Sequence, residues 1–162
     1  MARSGGRKGG KTAQDVLARN RKALHTYAVD EVCEAGLGLV GSEVKSIRDG
    51  KVNLVDAYAV IERGEAWLCE LDISVYAFAH ARNHDPRRRR KLLLHRNEIE
   101  RLAAKVREKG LTLVPLSLYQ KNGRVKVELA LVHGKQEFDR REDVKKREAQ
   151  REIDRAMSRR PR

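Results

Sequence analysis

Hydrophobic and polar residues alternate along much of this chain, and the alternation predicts a protein built mainly from short β-strands. A tight hairpin is predicted where Asn122-Gly123 separates residues 111–120 from residues 124–132. A second hairpin is predicted where Arg63-Gly64 separates residues 57–61 from residues 66–73. The alternation is clearest after Asn122-Gly123, where one strand face carries Val125, Val127, Leu129 and Leu131.

Helical spacing interrupts the strands. A short helix is predicted to begin at Gly41-Ser42 and to end at Asp49-Gly50. A longer helix ends at Gly110, and its hydrophobic face carries Ile99, Leu102, Ala103 and Val106. Nearer the N-terminus, residues 13–22 predict a third short helix, and residues 25–32 predict a strand that residues 37–40 continue.

The remaining segments divide the chain into a folded part and two tails. Residues 1–12 are rich in Gly and basic residues, so we expect them to be disordered without a partner. Residues 77–91 predict a loop, which includes the uninterrupted basic run Arg87–Arg90. The predicted units are a basic N-terminal tail (1–22), a folded domain (23–134) and a basic C-terminal tail (135–162) that is disordered alone and folds on its partner.

The predicted fold class is mainly β. Five or six short strands in hairpins, with inserted short helices, are typical of a small antiparallel barrel that is closed or partly open. The number of strands alone does not distinguish an OB-type barrel from other small barrels.

Positive charge is concentrated outside the predicted folded body. The formal net charge is +13, and residues 1–22 hold seven Lys or Arg with one Asp. Residues 82–91 hold six Lys or Arg with one Asp, and residues 135–162 hold eleven Lys or Arg with seven Asp or Glu. Segregated basic segments favour a nucleic-acid partner, because they displace counterions from phosphates without needing a deep pocket.

Several classes of protein are disfavoured by the sequence. No apolar run approaches the ~18 residues that span a bilayer, so no membrane partner is expected. The two cysteines, Cys33 and Cys69, lie in apolar stretches, which favours reduced core residues of a cytosolic protein. His80 and His84 are four residues apart in a predicted loop, and no Cys or carboxylate completes a metal site. We expect no metal, no cofactor and no enzymatic activity.

Three segments resemble the SsrA-binding protein family, also called small protein B. They are EAGLGLVGSEVKSIRDGKVNL (34–54), NHDPRRRRKLLLH (83–95) and TLVPLSLYQKNGRVKVELALVHGK (112–135). The resemblance implies an OB-type β-barrel that binds the tRNA-like domain of transfer-messenger RNA in the cytoplasm. It also implies a C-terminal tail that enters the empty mRNA path near the decoding centre of a stalled small ribosomal subunit and becomes helical there.

The resemblance implies specific site residues as well. The RNA-binding positions are Asn20, Arg21, Lys22, His25, Glu34, Lys45, Arg48, Lys51, Leu93 and Lys126. The tail positions that contact the ribosome are Gly134, Lys135, Asp139, Arg140 and Arg141. The family's usual GKK stands here as Gly134-Lys135-Gln136, with one charge fewer, whereas its DKR stands as Asp139-Arg140-Arg141 with the charge preserved.

The residues by themselves leave alternatives open. The three cations of residues 45–51 are equally consistent with a solvated helix face, Glu34 with a salt bridge, and Leu93 with a core position. A general OB-type RNA-binding or ribosome-assembly factor is the alternative function. A third hypothesis is an RNA-processing enzyme with His25, Glu34 or His84 as acid or base.

Overall fold

The structure is a computed structural model that describes residues 15–158, without the side chains of residues 137–140. The strands are β1 (Asp15–Arg19), β2 (Tyr27–Leu37), β3 (Val52–Asn53), β4 (Tyr58–Glu62), β5 (Glu65–Cys69), β6 (Asp72–Ile73), β7 (Arg90–Leu93), β8 (Thr112–Lys121) and β9 (Arg124–Gly134). The helices are α1 (Arg21–Thr26), α2 (Gly41–Arg48), α3 (Arg96–Lys109) and α4 (Glu137–Ser158), with a 3-10 turn at His80–Arg82. The prediction of a mainly β protein with inserted short helices is confirmed.

Seven strands form one antiparallel sheet in the order β1-β8-β4-β5-β7-β2-β9. β9 also pairs with β8, so β8 has three neighbours in this sheet. β3 and β6 pair separately. Hydrophobic side chains on the inner face of the sheet, such as Val127 and Leu129, are fully buried together with Leu102 of α3 and Ile47 of α2.

Both predicted hairpins are confirmed. The turn between β4 and β5 has positive φ at Arg63 (51°) and Gly64 (76°), and the turn between β8 and β9 has positive φ at Asn122 (51°) and Gly123 (72°). Two consecutive residues with positive φ match the right-handed twist of the flanking strands. Gly110 ends α3 in the left-handed region, as its position after the helical pattern predicts.

The N-terminal region differs from the prediction. Residues 13–22 were predicted to be helical, but Asp15–Arg19 forms β1 at the edge of β8, and the helix begins only at Arg21. The backbone N–H of Asn20 donates to the carbonyl of Leu116 at 2.7 Å, which continues the attachment to β8. Pairing with an open strand edge outweighs local helical propensity here. Residues 1–12, which we expect to be disordered, lie outside the described residues.

The C-terminal tail contains α4, a helix of 22 residues. Its hydrophobic residues Val144, Ile153 and Met157 are exposed, so the helix buries little apolar surface. The prediction that this segment orders only on a partner stays a prediction. Within residues 15–158, no helix is both long and apolar enough to cross a membrane.

Candidate nucleic-acid interface

A groove of about 1410 Å³ brings three of the predicted RNA-binding residues together. It runs along β2, β7 and the beginning of α3, and both hairpin turns reach it. Glu34, Leu93 and Lys126 all line it, although they lie far apart in sequence. Strand register explains the grouping, because Gly36 of β2 pairs with Leu93 on one side and with Lys126 on the other.

Leu93 lies across a glycine on the outer surface of the sheet. A Cβ atom added at Gly36 would stand 3.0 Å from the Cβ of Leu93, so a larger residue there would push the Leu93 side chain aside by a few tenths of an ångström. Leu93 is 56% exposed, and the alternative of a core position is therefore wrong. An exposed leucine in a charged groove offers apolar contact to a sugar or base.

The Glu34 carboxylate is held by two neighbours on β8. It accepts a hydrogen bond from the Tyr119 hydroxyl, and the Lys121 ammonium lies 3.0 Å from Oε2 and 3.1 Å from Oε1. The hydrogen bond from Tyr119 and the charge of Lys121 hold the pKa of Glu34 below its ordinary value despite partial desolvation. Glu34 is therefore an oriented, ionised acceptor, and the salt-bridge alternative is also correct for this residue.

Basic residues outnumber acidic ones along the groove. Lys91 pairs with Glu65 at 2.6 Å, and Arg96 pairs with Glu100 at 3.1 Å. Arg101 reaches Glu31 at 2.6 Å. Among the Lys and Arg residues that line the groove, all of them described, Arg63, Arg124 and Lys126 form no ion pair, which leaves three cations available for phosphate.

A second group of predicted residues lies at the end of α2. Lys45, Arg48 and Lys51 are all exposed, as required of phosphate contacts. The Lys45 ammonium lies 5.3 Å from the centre of the Tyr76 ring, and the Lys51 carbonyl accepts from the backbone N–H of Ser74 at 3.1 Å. The segment after β6 therefore packs beside the end of α2.

The third group of predicted residues lies at the start of α1 and along it. One member of this group, Asn20, is buried. Asn20 is 1% exposed, and its Oδ1 accepts from the backbone N–H of Ala23. Its Nδ2 donates to the carbonyls of Leu54 and Pro115. The Asn20 side chain thus starts α1 and ties it to the sheet, and its contact with RNA stays a prediction. Its neighbours on α1 are exposed: Arg21, Lys22 and His25.

The start of the C-terminal tail lies against α1. The Lys135 side chain is only 11% exposed, because its ammonium donates to the Leu24 carbonyl at 3.0 Å and binds the Asp143 carboxylate of α4. The predicted contact of Lys135 with the ribosome stays a prediction. Gly134 and Arg141 are exposed. Asp139 and Arg140 belong to α4, and their side chains lie outside those described.

Two of the four arginines in the basic run Arg87–Arg90 bind a buried glutamate. Glu43 of α2 is fully buried and binds Arg88 at 2.6 Å and Arg90 at 2.8 Å, and Arg90 is also fully buried. Arg90 further donates to the carbonyl of Leu71 at 2.6 Å. Arg90 therefore lies neither in a mobile loop nor in an RNA clamp, because its guanidinium is already paired with Glu43 inside the protein.

His25 and His84, the two histidines considered as an acid or base, lie on different elements of the fold. His84 is buried with its two ring nitrogens 2.9 Å from the Ser42 hydroxyl and the Ile73 carbonyl. His25 lies on α1, apart from His84 and from the groove. Among the described residues, no cluster of His, Cys, Asp or Glu could hold a metal ion. Both cysteines are free; Cys69 is buried and Cys33 half-buried.

Sequence reasoning missed the residues that complete the groove. Tyr119 and Lys121 orient Glu34, but their strand gives no local sign that they face β2. Arg63 and Arg124 were visible as basic residues at two predicted hairpin turns, yet only the strand order shows that both turns reach one groove.

A mainly antiparallel sheet, a groove with free cations and a basic helical extension define a class of small polyanion-binding proteins. A model of the SmpB protein family matches residues 17–159. The chain is 55% identical to the SsrA-binding protein of Corynebacterium glutamicum over 145 residues, 90% of this chain and 88% of that protein. It is 52% identical to the SsrA-binding protein of Mycolicibacterium paratuberculosis over 159 residues, 98% of this chain and 93% of that protein.

A solved structure described as "tmRNA-SmpB: a journey to the center of the bacterial ribosome" is also similar. It shares 49% sequence identity with this chain at a TM-score of 0.63, and the match covers 74% of this chain and 85% of that one. The chain belongs to the SmpB protein family.

Proposed function

We propose that this protein is a non-enzymatic adaptor that binds the tRNA-like domain of transfer-messenger RNA and delivers it to stalled ribosomes for trans-translation. Trans-translation rescues the stalled ribosome and tags the incomplete protein for degradation. Membership of the SmpB family and similarity to a tmRNA–SmpB structure support this function. The single observation on this chain that carries it is the groove that brings Glu34, Leu93 and Lys126 together.

We assign the RNA to the groove and to the exposed end of α2. The free cations Arg63, Arg124 and Lys126 would contact phosphates, while Glu34 would accept hydrogen bonds from base amino groups. We propose that the sheet forms a barrel, because β9 pairs with β8 as well as with β2, and we assign it to the OB type from the family resemblance. A protein with these partners works in the cytoplasm.

We assign the ribosome to the C-terminal tail, which meets α1 at Lys135. The tail residues Gly134, Asp139, Arg140 and Arg141 are the proposed contacts on the decoding centre and the mRNA path, and the exposed α1 residues Arg21, Lys22 and His25 are further proposed RNA contacts. Asn20 and Lys135 are proposed to act indirectly, by fixing α1 and the start of α4.

A competition experiment tests the function. The full-length protein is bound to labelled transfer-messenger RNA and challenged with unlabelled transfer-messenger RNA or with an unrelated structured RNA of equal length. We expect the specific competitor to displace the label at a concentration at least roughly tenfold lower. Equal competition by both RNAs would favour the general RNA-binding factor instead. RNA cleavage that is lost in Glu34→Ala would favour the processing enzyme.

Binding should weaken steeply with salt, because several phosphate contacts release counterions. Replacing one contacting cation should reduce the slope of log K against log salt concentration by about one. We expect this reduction for Lys126→Gln and no change for Lys109→Gln, a matched substitution at the exposed end of α3. Filter binding at four or five salt concentrations measures both slopes, and equal slopes for the two variants would remove Lys126 from the interface.

A further inference from the structure

An aromatic pair, the half-buried Tyr76 and the exposed Phe78, lies beside the cations of α2 on the segment between β6 and β7. Phe78 is 76% exposed. Its ring meets the Tyr76 ring edge to face, with centroids 5.6 Å apart and planes at 64°. Val75 is half exposed, and the Lys45 ammonium lies over the other aromatic ring, that of Tyr76. None of these three hydrophobic residues has a role in the function proposed above.

Hydrogen bonds hold the backbone that carries this pair. The Asn83 side chain accepts from the Tyr76 N–H at 3.0 Å and donates to the Tyr76 carbonyl at 2.7 Å, which closes the segment at its base. The Ala79 N–H also donates to the Tyr76 carbonyl, at 3.1 Å. Phe78 is thus presented to solvent on a closed turn, so little conformational entropy is lost when its ring is covered.

We propose that Tyr76 and Phe78 form a stacking platform for an unpaired nucleotide of the bound RNA, and that Lys45 contacts the adjacent phosphate. Unstacked bases are recognised on aromatic side chains, and a neighbouring cation secures the backbone. The inference rests on the proposed function, because the occupant is a nucleotide of the same transfer-messenger RNA.

The charges around the pair favour RNA over a protein partner. Residues 45–51 contain three cations and one anion, Asp49, and all four side chains are exposed. The Lys51 carbonyl accepts from Ser74, two residues before Tyr76, so this basic segment borders the platform. An apolar ring with a cationic border matches the flat base and charged phosphate of one nucleotide.

Substitutions that separate stacking from charge test the proposal. Phe78→Ala should weaken binding of transfer-messenger RNA about tenfold without changing the salt slope, whereas Phe78→Trp should retain affinity. Lys45→Met should reduce both the affinity and the salt slope, the latter by about one. Val75→Ala is the matched control, since it removes exposed apolar surface from the same segment, and it should bind RNA as the unaltered protein does.

Chemical probing of the RNA at single-nucleotide resolution gives an independent readout. One unpaired nucleotide should be protected by the unaltered protein and by Phe78→Trp, and should become reactive again with Phe78→Ala. The stacking platform would be overturned if Phe78→Ala left both the RNA affinity and the protection of the nucleotide unchanged. If Phe78→Ala weakened only the association with the ribosome, a protein surface or a ribosomal site would cover the Phe78 ring instead. Because the competition experiment on the unaltered protein is run first, failure of the proposed function is distinguished from failure of the platform.

Discussion

Replacing Glu43 with alanine should lower the free energy of unfolding by about 3–5 kcal/mol. The substitution leaves Arg90 fully buried without its carboxylate partner, and it removes the carboxylate that Arg88 binds. It also removes the oxygen that accepts from the backbone N–H of Val40 at 2.9 Å at the start of α2. Loss on this scale is a large part of the ~5–15 kcal/mol that stabilises a typical protein.

Urea unfolding followed by the fluorescence of Trp67, the one tryptophan of the chain, measures this loss. The matched control is Glu62→Ala, which breaks the exposed pair of Glu62 with Arg89 at 2.9 Å. We expect the control to change the unfolding free energy by less than about 1 kcal/mol. Similar losses for the two variants would contradict the assigned importance of the buried cluster.

The same cluster makes stability depend on pH. Burial alone would raise the pKa of Glu43, but hydrogen bonds from Arg88 and Val40 and the charge of Arg90 outweigh it and lower the pKa. The stabilisation is therefore complete above the pKa of a glutamic acid in the unfolded chain, about 4.3, and is lost as the pH falls through the lower folded value. Unfolding experiments between about pH 3 and pH 6 should show a smaller pH dependence for Glu43→Ala than for the unaltered protein.

Glu43 also shows where sequence reasoning reached its limit. The helix at 41–48 and its end at Asp49-Gly50 were predictable from local signals. No local signal at Glu43 or in the Arg87–Arg90 run indicates that they bind each other. The contact that joins them spans more than 40 residues and depends on where β7 lies, so neither local pattern predicts it.

The candidate site was predictable to a similar degree. Resemblance supplied Glu34, Leu93 and Lys126, and the strand order brings them into one groove. The exposed position of Leu93 depends on Gly36, across a strand pair that no local signal specifies. No sequence signal indicates that the side chains of Asn20 and Lys135 are largely buried, because only tertiary partners show that their polar atoms are already bonded.

Ending the chain after Gln136 should abolish ribosome rescue while leaving the affinity for transfer-messenger RNA within about twofold. The groove, α2 and the aromatic pair all lie before residue 137, and the exposed hydrophobic residues of α4 show that the helix contributes little to the core. The truncation retains Lys135, whose hydrogen bond to the Leu24 carbonyl ties the end of β9 to α1. A rescue assay on ribosomes stalled at the end of a truncated mRNA, with filter binding of the RNA alongside, measures both effects.

A second variant determines what the tail supplies. Replacing residues 137–162 by a Gly/Ser segment of equal length keeps the chain length but removes the charge and the helix, and it should be as inactive in rescue as the truncation. Rescue by the truncated protein would show that the tail is dispensable, and rescue by the Gly/Ser variant alone would show that the length of the tail suffices without its charge and helix. A collapse of RNA affinity in both would show that α4 belongs to the RNA-binding surface, since the sheet would then be insufficient to hold the RNA. If the basic helix acts only after the RNA has arrived, both variants should still be recruited to the ribosome but should fail in rescue.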